Sequence, residues 1–409
     1  MIEDLKIEDS LEGFLEDQGN PGTALSATFW LTAVVMAVIL FGLTMLYSTS
    51  YGGASGDKFF KMQLLWLAIA LVCGIVVILI GYRTLAKWSP LLLVILLFLL
   101  IIPLFGEPVN GARRWINIGV GSFKFKIQPS EFAKILLPLF LTKYYADNFR
   151  TIDMLFKKTG PFPPLILAGG IIGLVALGKD LGTTALLCAT VATTLFFAGF
   201  RLRYLLTLGG LALAGMYILS VSGNSMRQSR ITTFLNPELY REEGGYQLMN
   251  SLMALGSGGW TGIGFLGSRL KEQYLPEAHT DFILSIIGEE LGLVGLVCLI
   301  AAYFLIVFFG YRISIHSRSR QGMLLAGTLI SVFLFQVIIN IGVVSGSLPT
   351  KGMSAPFISY GGSGMIVYVV IISLLLSVAL DTAFPNYNKP VAEFFKKHLL
   401  ARLNGRRES

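Results

Sequence analysis

Charged residues are scarce in this chain: 14% of 409, against 54% that are hydrophobic. A soluble domain of this size has no way to hide that much apolar surface in one core, so that class is excluded. Cysteine is nearly absent. Cys73, Cys188 and Cys298 fall singly inside apolar runs, with no disulfide or metal spacing among them, and are expected to act as small buried hydrophobes. Alternating segments of about ten residues are missing, which excludes a transmembrane barrel. The first residues, MIEDLKIEDSLEGFLEDQGN, lack a basic stretch. They are read as part of an acidic cytoplasmic tail over 1–27 and not as a cleavable signal peptide.

What the chain does have is long apolar runs, and its mean hydropathy is +0.70. Several runs reach the ~20 residues that cross a hydrocarbon layer roughly 30 Å thick. The expected fold is an all-α polytopic membrane protein. Breaks between runs predict about ten transmembrane helices, at 27–48, 62–82, 89–105, 129–147, 162–178, 182–200, 203–222, 281–311, 322–345 and 357–384. A ten-helix membrane domain over 28–384 is thus expected, followed by a basic cytoplasmic tail over 385–409. The longest loop, about 223–280, falls between spans seven and eight.

Orientation follows from the basic residues. Arg83 and Lys87, then Lys143, Arg150, Lys157 and Lys158, then Arg201 and Arg203, then Arg312, Arg318 and Arg320 fall in alternate loops. With ten spans they share one side, which the positive-inside rule makes cytoplasmic. Both termini are then inside and the loop 223–280 faces out. Two groups of cations break the rule: Arg113, Arg114, Lys124 and Lys126 in the loop 106–128, and Arg227, Arg230, Arg241, Arg269 and Lys271 in 223–280. Either they bind outer phospholipid headgroups, or together they form a site for an anionic, phosphate-bearing ligand around one carboxylate.

That carboxylate is Asp281, in LPEAHTDF at the lip of the run FILSIIGEELGLVGLVCLIAAYFLIVFFG. It is either a helix cap or a general base facing water. Glu131 and Lys134 lie three apart in QPSEFAKILLPLF, hence on one helix face, as an interfacial ion pair or the lining of a polar cavity. Asp180, in GKDLGTTALL, reads as a helix cap. Glu289 and Glu290 lie roughly 12 Å past Asp281 by the helical rise, where each must be paired with a cation or face a wet cavity. The Gly- and Pro-rich SLPTKGMSAPFISYGGSG, with Lys351 as its one cation, is either a connecting turn or an irregular segment buried in protein.

NGARRWINIG, QPSEFAKI, YQLMNSLMALGSGGWTGIGF, LPEAHTDFILSIIGEELGLVG and LPTKG followed by PFISYGGSG occur in one order along the chain. Together they resemble the SEDS family (shape, elongation, division, sporulation) over nearly all of 28–384, and the LPTKG form favours its division branch. GKDLGTT stands where that family more often has QPDLGTA, and GGSG where it more often has GGSS.

The resemblance implies a peptidoglycan glycosyltransferase that polymerises lipid II at the outer face of the cytoplasmic membrane, at the division septum. It implies Asp281 as catalytic base, and Arg113, Arg114, Glu131, Lys134, His279 and Lys351 as substrate-binding. Asp180, Glu289 and Glu290 are left as structural or cavity-lining. Magnesium or another divalent cation would suit the pyrophosphate, although no metal-ligand spacing calls for it; no organic cofactor is expected. Expected partners are a class B penicillin-binding transpeptidase and other division membrane proteins, with no nucleic acid. A lipid II flippase and a non-catalytic scaffold are the competing readings. The two halves share no repeated motif, as many transporters would, and a scaffold leaves the outer cations unexplained.

Overall fold

The computed structural model describes residues 20–50, 58–108, 112–120, 123–151, 159–221, 245–272 and 278–349, then 352–385, with a few isolated positions between. Lys351, Arg227, Arg230 and Arg241 lie outside the described residues, as do both predicted tails but for their innermost residues.

Eleven helices are described: α1 (Pro21–Ser50), α2 (Lys58–Ile80), α3 (Tyr82–Ile101), α4 (Pro129–Asp147), α5 (Phe162–Leu177), α6 (Leu181–Phe197), α7 (Leu202–Val221), α8 (Gly245–Gly258), α9 (Ile283–Ile315), α10 (Arg320–Val344) and α11 (Gly362–Ala383). The chain is a polytopic helical membrane protein. Six of these helices, α1, α2, α3, α9, α10 and α11, are by length and composition able to cross a membrane. Three details differ from the sequence expectation. A short antiparallel hairpin, β1 (Ile116–Val120) and β2 (Phe123–Ile127), stands in the loop 106–128 of a chain expected to be all-α. The long loop before Asp281 contains α8. The last helix begins at Gly362, later than expected, because 352–361 is irregular.

Burial sorts the long helices. Of their most apolar stretches, 72% is buried in α10 and 83% in α11, against 22–39% in the other four. α10 and α11 are therefore the central posts, and the rest keep an apolar face toward lipid. One core joins α1, α9, α10 and α11; a second joins α3, α4, α5 and α6, and meets α10 at Leu324. The cysteines are all free, but Cys298 faces outward from α9, against the expectation of burial. An exposed Cys on a lipid-facing helix loses nothing, since its neighbours there are apolar either way.

At the end opposite Asp281, Arg83 at the start of α3 meets Asp381 of α11 at 2.7 Å, and the Tyr82 hydroxyl donates to the same carboxylate. This pair ties two adjacent helices where the chain returns to a basic surface.

Of the irregular segment 352–361, residues 353–359 are buried except for half-buried Ser354. Backbone with no water nearby must find partners inside the protein. Here side chains supply them. Asn340 Nδ2 donates to the Met353 carbonyl (2.7 Å), Gln336 Nε2 to Ser354 (2.9 Å), the Tyr303 hydroxyl to Pro356 (2.8 Å) and Gln63 Nε2 to Ser359 (3.2 Å). Gln63 also accepts from the Gly361 N–H. Phe357 holds a positive φ of 64° within this segment, and α1 touches it at Gly42.

A Cβ on Gly42 would stand 2.5 Å from the Phe357 carbonyl oxygen and 2.9 Å from Ile358 Cα. Gly42→Ala is therefore expected to destabilise by about 1–3 kcal/mol through overpacking. Thermal unfolding of the purified protein checks it: the midpoint should fall by several degrees, while Leu40→Ala, on the lipid-facing side of the same helix, should shift it much less.

Candidate active site

Asp281 lies in a turn just before α9, whose first residue is Ile283. The residue at the helix start is Phe282, whose side chain makes no cap, and Asp281 stands one position before it. Its backbone carbonyl accepts from Asn340 Nδ2 at 3.2 Å. The same amide holds Met353, so one side chain of α10 fixes the Asp281 turn and the irregular segment together. The Thr280 carbonyl is likewise bound by the Ser359 hydroxyl (2.5 Å), and the His279 carbonyl by the Tyr360 N–H (2.8 Å).

His279 is half-buried and stacked on Phe59 of α2, with ring centroids 4.2 Å apart. Tyr360 packs edge-on against the same Phe59 at 5.0 Å. Desolvation in this packing raises the Tyr360 phenol above its ordinary pKa. The group therefore stays neutral in any ordinary buffer.

A Cβ on exposed Gly352 would stand 2.9 Å from Asp281 Oδ2 and 3.3 Å from Arg114 Nη2. Carboxylate and guanidinium thus converge on one point of the segment that follows Lys351. Arg114 is held from behind. Its Nη1 donates to Asp180 Oδ1 at 3.2 Å, and Asp180 is nearly fully buried. Asp180 also accepts from Gln128 Nε2 (2.6 Å), the Ser130 hydroxyl (3.2 Å) and the Thr183 N–H (3.3 Å). The last contact makes it the cap of α6, as read from sequence. The Arg114 contact was missed there; the polar pair Gln128 and Ser130 at the start of α4 was the available signal. Charges of alternating sign run from Asp180 through Arg114 to Asp281.

Arg113 is exposed, with its N–H on the Gly178 carbonyl and its guanidinium on Leu104. It lines a small recess with Arg114, Ser130 and Asp180. Glu131 and Lys134 form the expected ion pair at 2.6 Å, with Lys134 buried. Lys134 also donates to Gln336 Oε1 at 3.1 Å, and so reaches the Ser354 carbonyl through the far end of that amide. Glu131 Oε2 is buried and has no hydrogen-bond partner among the described residues. The pair is thus more than interfacial: it stands directly under the segment that faces Asp281.

Glu289 and Glu290 are not brought to Asp281. Glu290 pairs with Lys271 at 2.8 Å, and Glu289 accepts from the Ser268 hydroxyl. Lys271 therefore does not join the cations around Asp281, as grouping by loop had implied; a buried carboxylate next to it captures the ammonium. Gln336 and Asn340, which organise the site, were not singled out from sequence. Two amides four residues apart on one face of an apolar helix were the signal.

Fold and site together define a multi-pass membrane protein with one carboxylate and one buttressed guanidinium facing each other beside a buried irregular segment. Residues 27–383 match the cell cycle protein family FtsW/RodA/SpoVE, and the chain belongs to that family. A probable peptidoglycan glycosyltransferase FtsW of Trichlorobacter lovleyi is 36% identical over 357 residues, covering 85% of this chain and 92% of that protein. Stage V sporulation protein E of Bacillus subtilis is also 36% identical over 357 residues, covering 85% and 96%. Among solved structures, a chain of a peptidoglycan synthase complex that coordinates polymerization and crosslinking aligns with a TM-score of 0.71 at 28% identity, covering 87% of this chain and 98% of that one. The rod shape determining protein RodA of Thermus thermophilus aligns at 0.62 and 25% identity, covering 86% and 96%.

The Glu131–Lys134 pair gives a test by stability. Removing one partner of a buried pair leaves an uncompensated charge at about 3–5 kcal/mol. Glu131→Gln should lower the unfolding midpoint more than the double variant Glu131→Gln/Lys134→Met does. Equal losses would show that the two charges do not stabilise each other.

Proposed function

We propose that this protein is a peptidoglycan glycosyltransferase that polymerises lipid II into β-1,4-linked glycan strands, with release of undecaprenyl pyrophosphate. The observation that carries the reading is the convergence of Asp281 and Arg114 at Gly352. A sugar hydroxyl needs a base as it attacks, and a leaving pyrophosphate needs positive charge more than it needs a proton.

In this reading Asp281 takes the proton of the acceptor 4-hydroxyl as its oxygen bonds to the donor's anomeric carbon. The bond from that carbon to the pyrophosphate oxygen breaks, its electron pair leaves with the phosphate, and the configuration inverts. Arg114, held by Asp180, faces the leaving group; Arg113 extends the cationic rim, and Lys351, next to Gly352 in the sequence, is assigned to substrate binding. One carboxylate suffices here, where glycosidases, which must also protonate a poor leaving group, use two. Lys134 and Glu131 bear on the substrate through Gln336 and the segment 352–354, and His279 through the wall it builds with Phe59 and Tyr360.

Among the described residues no group of three or more His, Cys, Asp or Glu is placed to hold a metal. Asp281 with phosphate oxygens is the arrangement a magnesium or other divalent ion would use, since such ions bind through one or two carboxylates plus substrate phosphates. Bound so, it would neutralise the leaving group.

We place Asp281 at the outer edge of the bilayer. Asn340, which binds its carbonyl, lies about 30 Å along α10 from Arg320, roughly one hydrocarbon thickness from the basic end. Ten spans with both termini inside, in the bacterial cytoplasmic membrane and at the division septum, fit that placement. A class B penicillin-binding transpeptidase is the expected partner, supported by the structural neighbour from a synthase complex, alongside other division membrane proteins. The break in α9 at Gly292 is the feature that favours a flippase instead, since transporters use discontinuous helices. That break is filled by protein and not by a transport site.

The test is polymerisation of lipid II by the purified protein with its transpeptidase partner. Wild type should yield glycan polymer and a folded Asp281→Ala variant none. Normal polymerisation by the variant would overturn the assignment; movement of lipid II across vesicles with no polymer would favour the flippase.

A further inference from the structure

α9 is two helices. Gly292 has φ 66° and ψ −165°, which separates an outer half at 283–291 from an inner half at 293–315. The break frees backbone groups on both sides, and the segment after α8 takes up four of them. The Ile263 and Gly264 N–H groups donate to the carbonyls of Glu289 (3.0 Å) and Glu290 (3.1 Å). The Leu293 and Val294 N–H groups donate to Gly259 (2.9 Å) and Trp260 (3.1 Å). The approach demands glycine: a Cβ at Gly258, Gly262 or Gly292 would collide with the facing backbone.

Further along, this insert (259–272) turns back and covers the two carboxylates. Lys271 Nζ donates to Glu290 Oε1 (2.8 Å), to the Leu266 carbonyl (3.0 Å) and to Ser48 Oγ of α1 (3.1 Å). The Ser48 hydroxyl in turn donates to Glu290 at 2.7 Å, and the Ser268 N–H donates to it at 3.3 Å. Ser268 Oγ and the Arg269 N–H satisfy Glu289. Lys271 is 3% exposed and Glu290 fully buried.

We propose that the Lys271–Glu290 pair, with Ser48, is a positioning device for the transfer reaction: it locks the insert 259–272 into the break of α9 and so fixes the outer half-helix that presents Asp281. The inference rests on Asp281 acting as the base. A buried ion pair gains little net stability over apolar side chains of similar volume, but it imposes one geometry. The geometry is what matters at this place, because Gly292 is the break between Asp281 and the inner half of α9. A tilt of about 4° there, acting over roughly 16 Å of helix, moves the carboxylate by about 1 Å. A displacement of about 1 Å costs on the order of 100-fold in rate. The Lys271 and Glu290 side chains are buried against each other, out of reach of a ligand, so the effect falls on turnover and not on binding.

The test is steady-state lipid II polymerisation by the full-length protein with its transpeptidase partner, well below the unfolding temperature of each variant. Glu290→Gln should lower kcat at least tenfold with KM within twofold, and Lys271→Arg should keep more activity than Lys271→Met. A folded Glu290→Gln protein with wild-type kcat overturns the proposal, as does equal loss in the two lysine variants. Should Glu290→Gln fail to fold, Ser48→Ala removes one member of the network while leaving the ion pair; it should lower kcat several-fold at unchanged KM, and wild-type kcat there also overturns the proposal. Asp281→Ala is assayed alongside. Activity in that variant sinks the base assignment itself, whereas its inactivity beside a fully active Glu290→Gln sinks the positioning role alone.

Discussion

The structure depends on how one stretch of irregular backbone is satisfied where water does not reach. Residues 352–361 run through the protein between helices, and their carbonyls are taken by Asn340, Gln336, Tyr303 and Gln63. An unmet carbonyl at such depth costs several kcal/mol. These four side chains therefore dictate where α2, α9 and α10 stand relative to the segment. The consequence reaches the site directly. Asn340 binds Asp281 as well as Met353, and Gln336 binds Lys134 as well as Ser354. Each amide of α10 uses a single planar group to hold two parts of the site in register.

Electrostatics divides the charged residues into two kinds. Glu131–Lys134 and Glu290–Lys271 are closed pairs, with buried partners and surrounding hydrogen bonds. Their charges are neutralised within the protein, so their influence on a ligand is through geometry. Asp180, Arg114 and Asp281 form an open series instead. The inner carboxylate is saturated by four donors, and the guanidinium is shared with it but still reaches the point where Asp281 also arrives. The guanidinium thus presents its charge beside Asp281 from a position fixed by Asp180, as a preorganised site for an anionic ligand requires.

Glycine has an unusual structural role where the insert 259–264 meets α9. Membrane helices tolerate a break when other protein replaces the lost hydrogen bonds. Here the replacement is backbone to backbone, at a closeness that no side chain permits. The outer half of α9 is thereby joined to a loop and not simply continued from its own inner half. The position of Asp281 then depends on α1, the insert and α9 as well as on Asn340 of α10, and turnover inherits that dependence.

The amino-acid sequence by itself determined the membrane class, the places of the long helices with ends up to about seven residues off, and the Glu131–Lys134 pairing. Apolar periodicity and charge placement are local signals, and lipid rewards them wherever they occur. It also marked Asp281 and Asp180 as carboxylates at helix starts, and the second caps α6. Tertiary structure alone decided that Arg114, Gly352 and Asp281 meet, that Lys271 belongs to Glu290 and not to the site, and that α9 is broken and refilled. Those facts depend on which residues far apart in the chain come within a few ångströms. Spacing along the chain carries no record of that distance, and packing around 352–361 and Gly292 creates it.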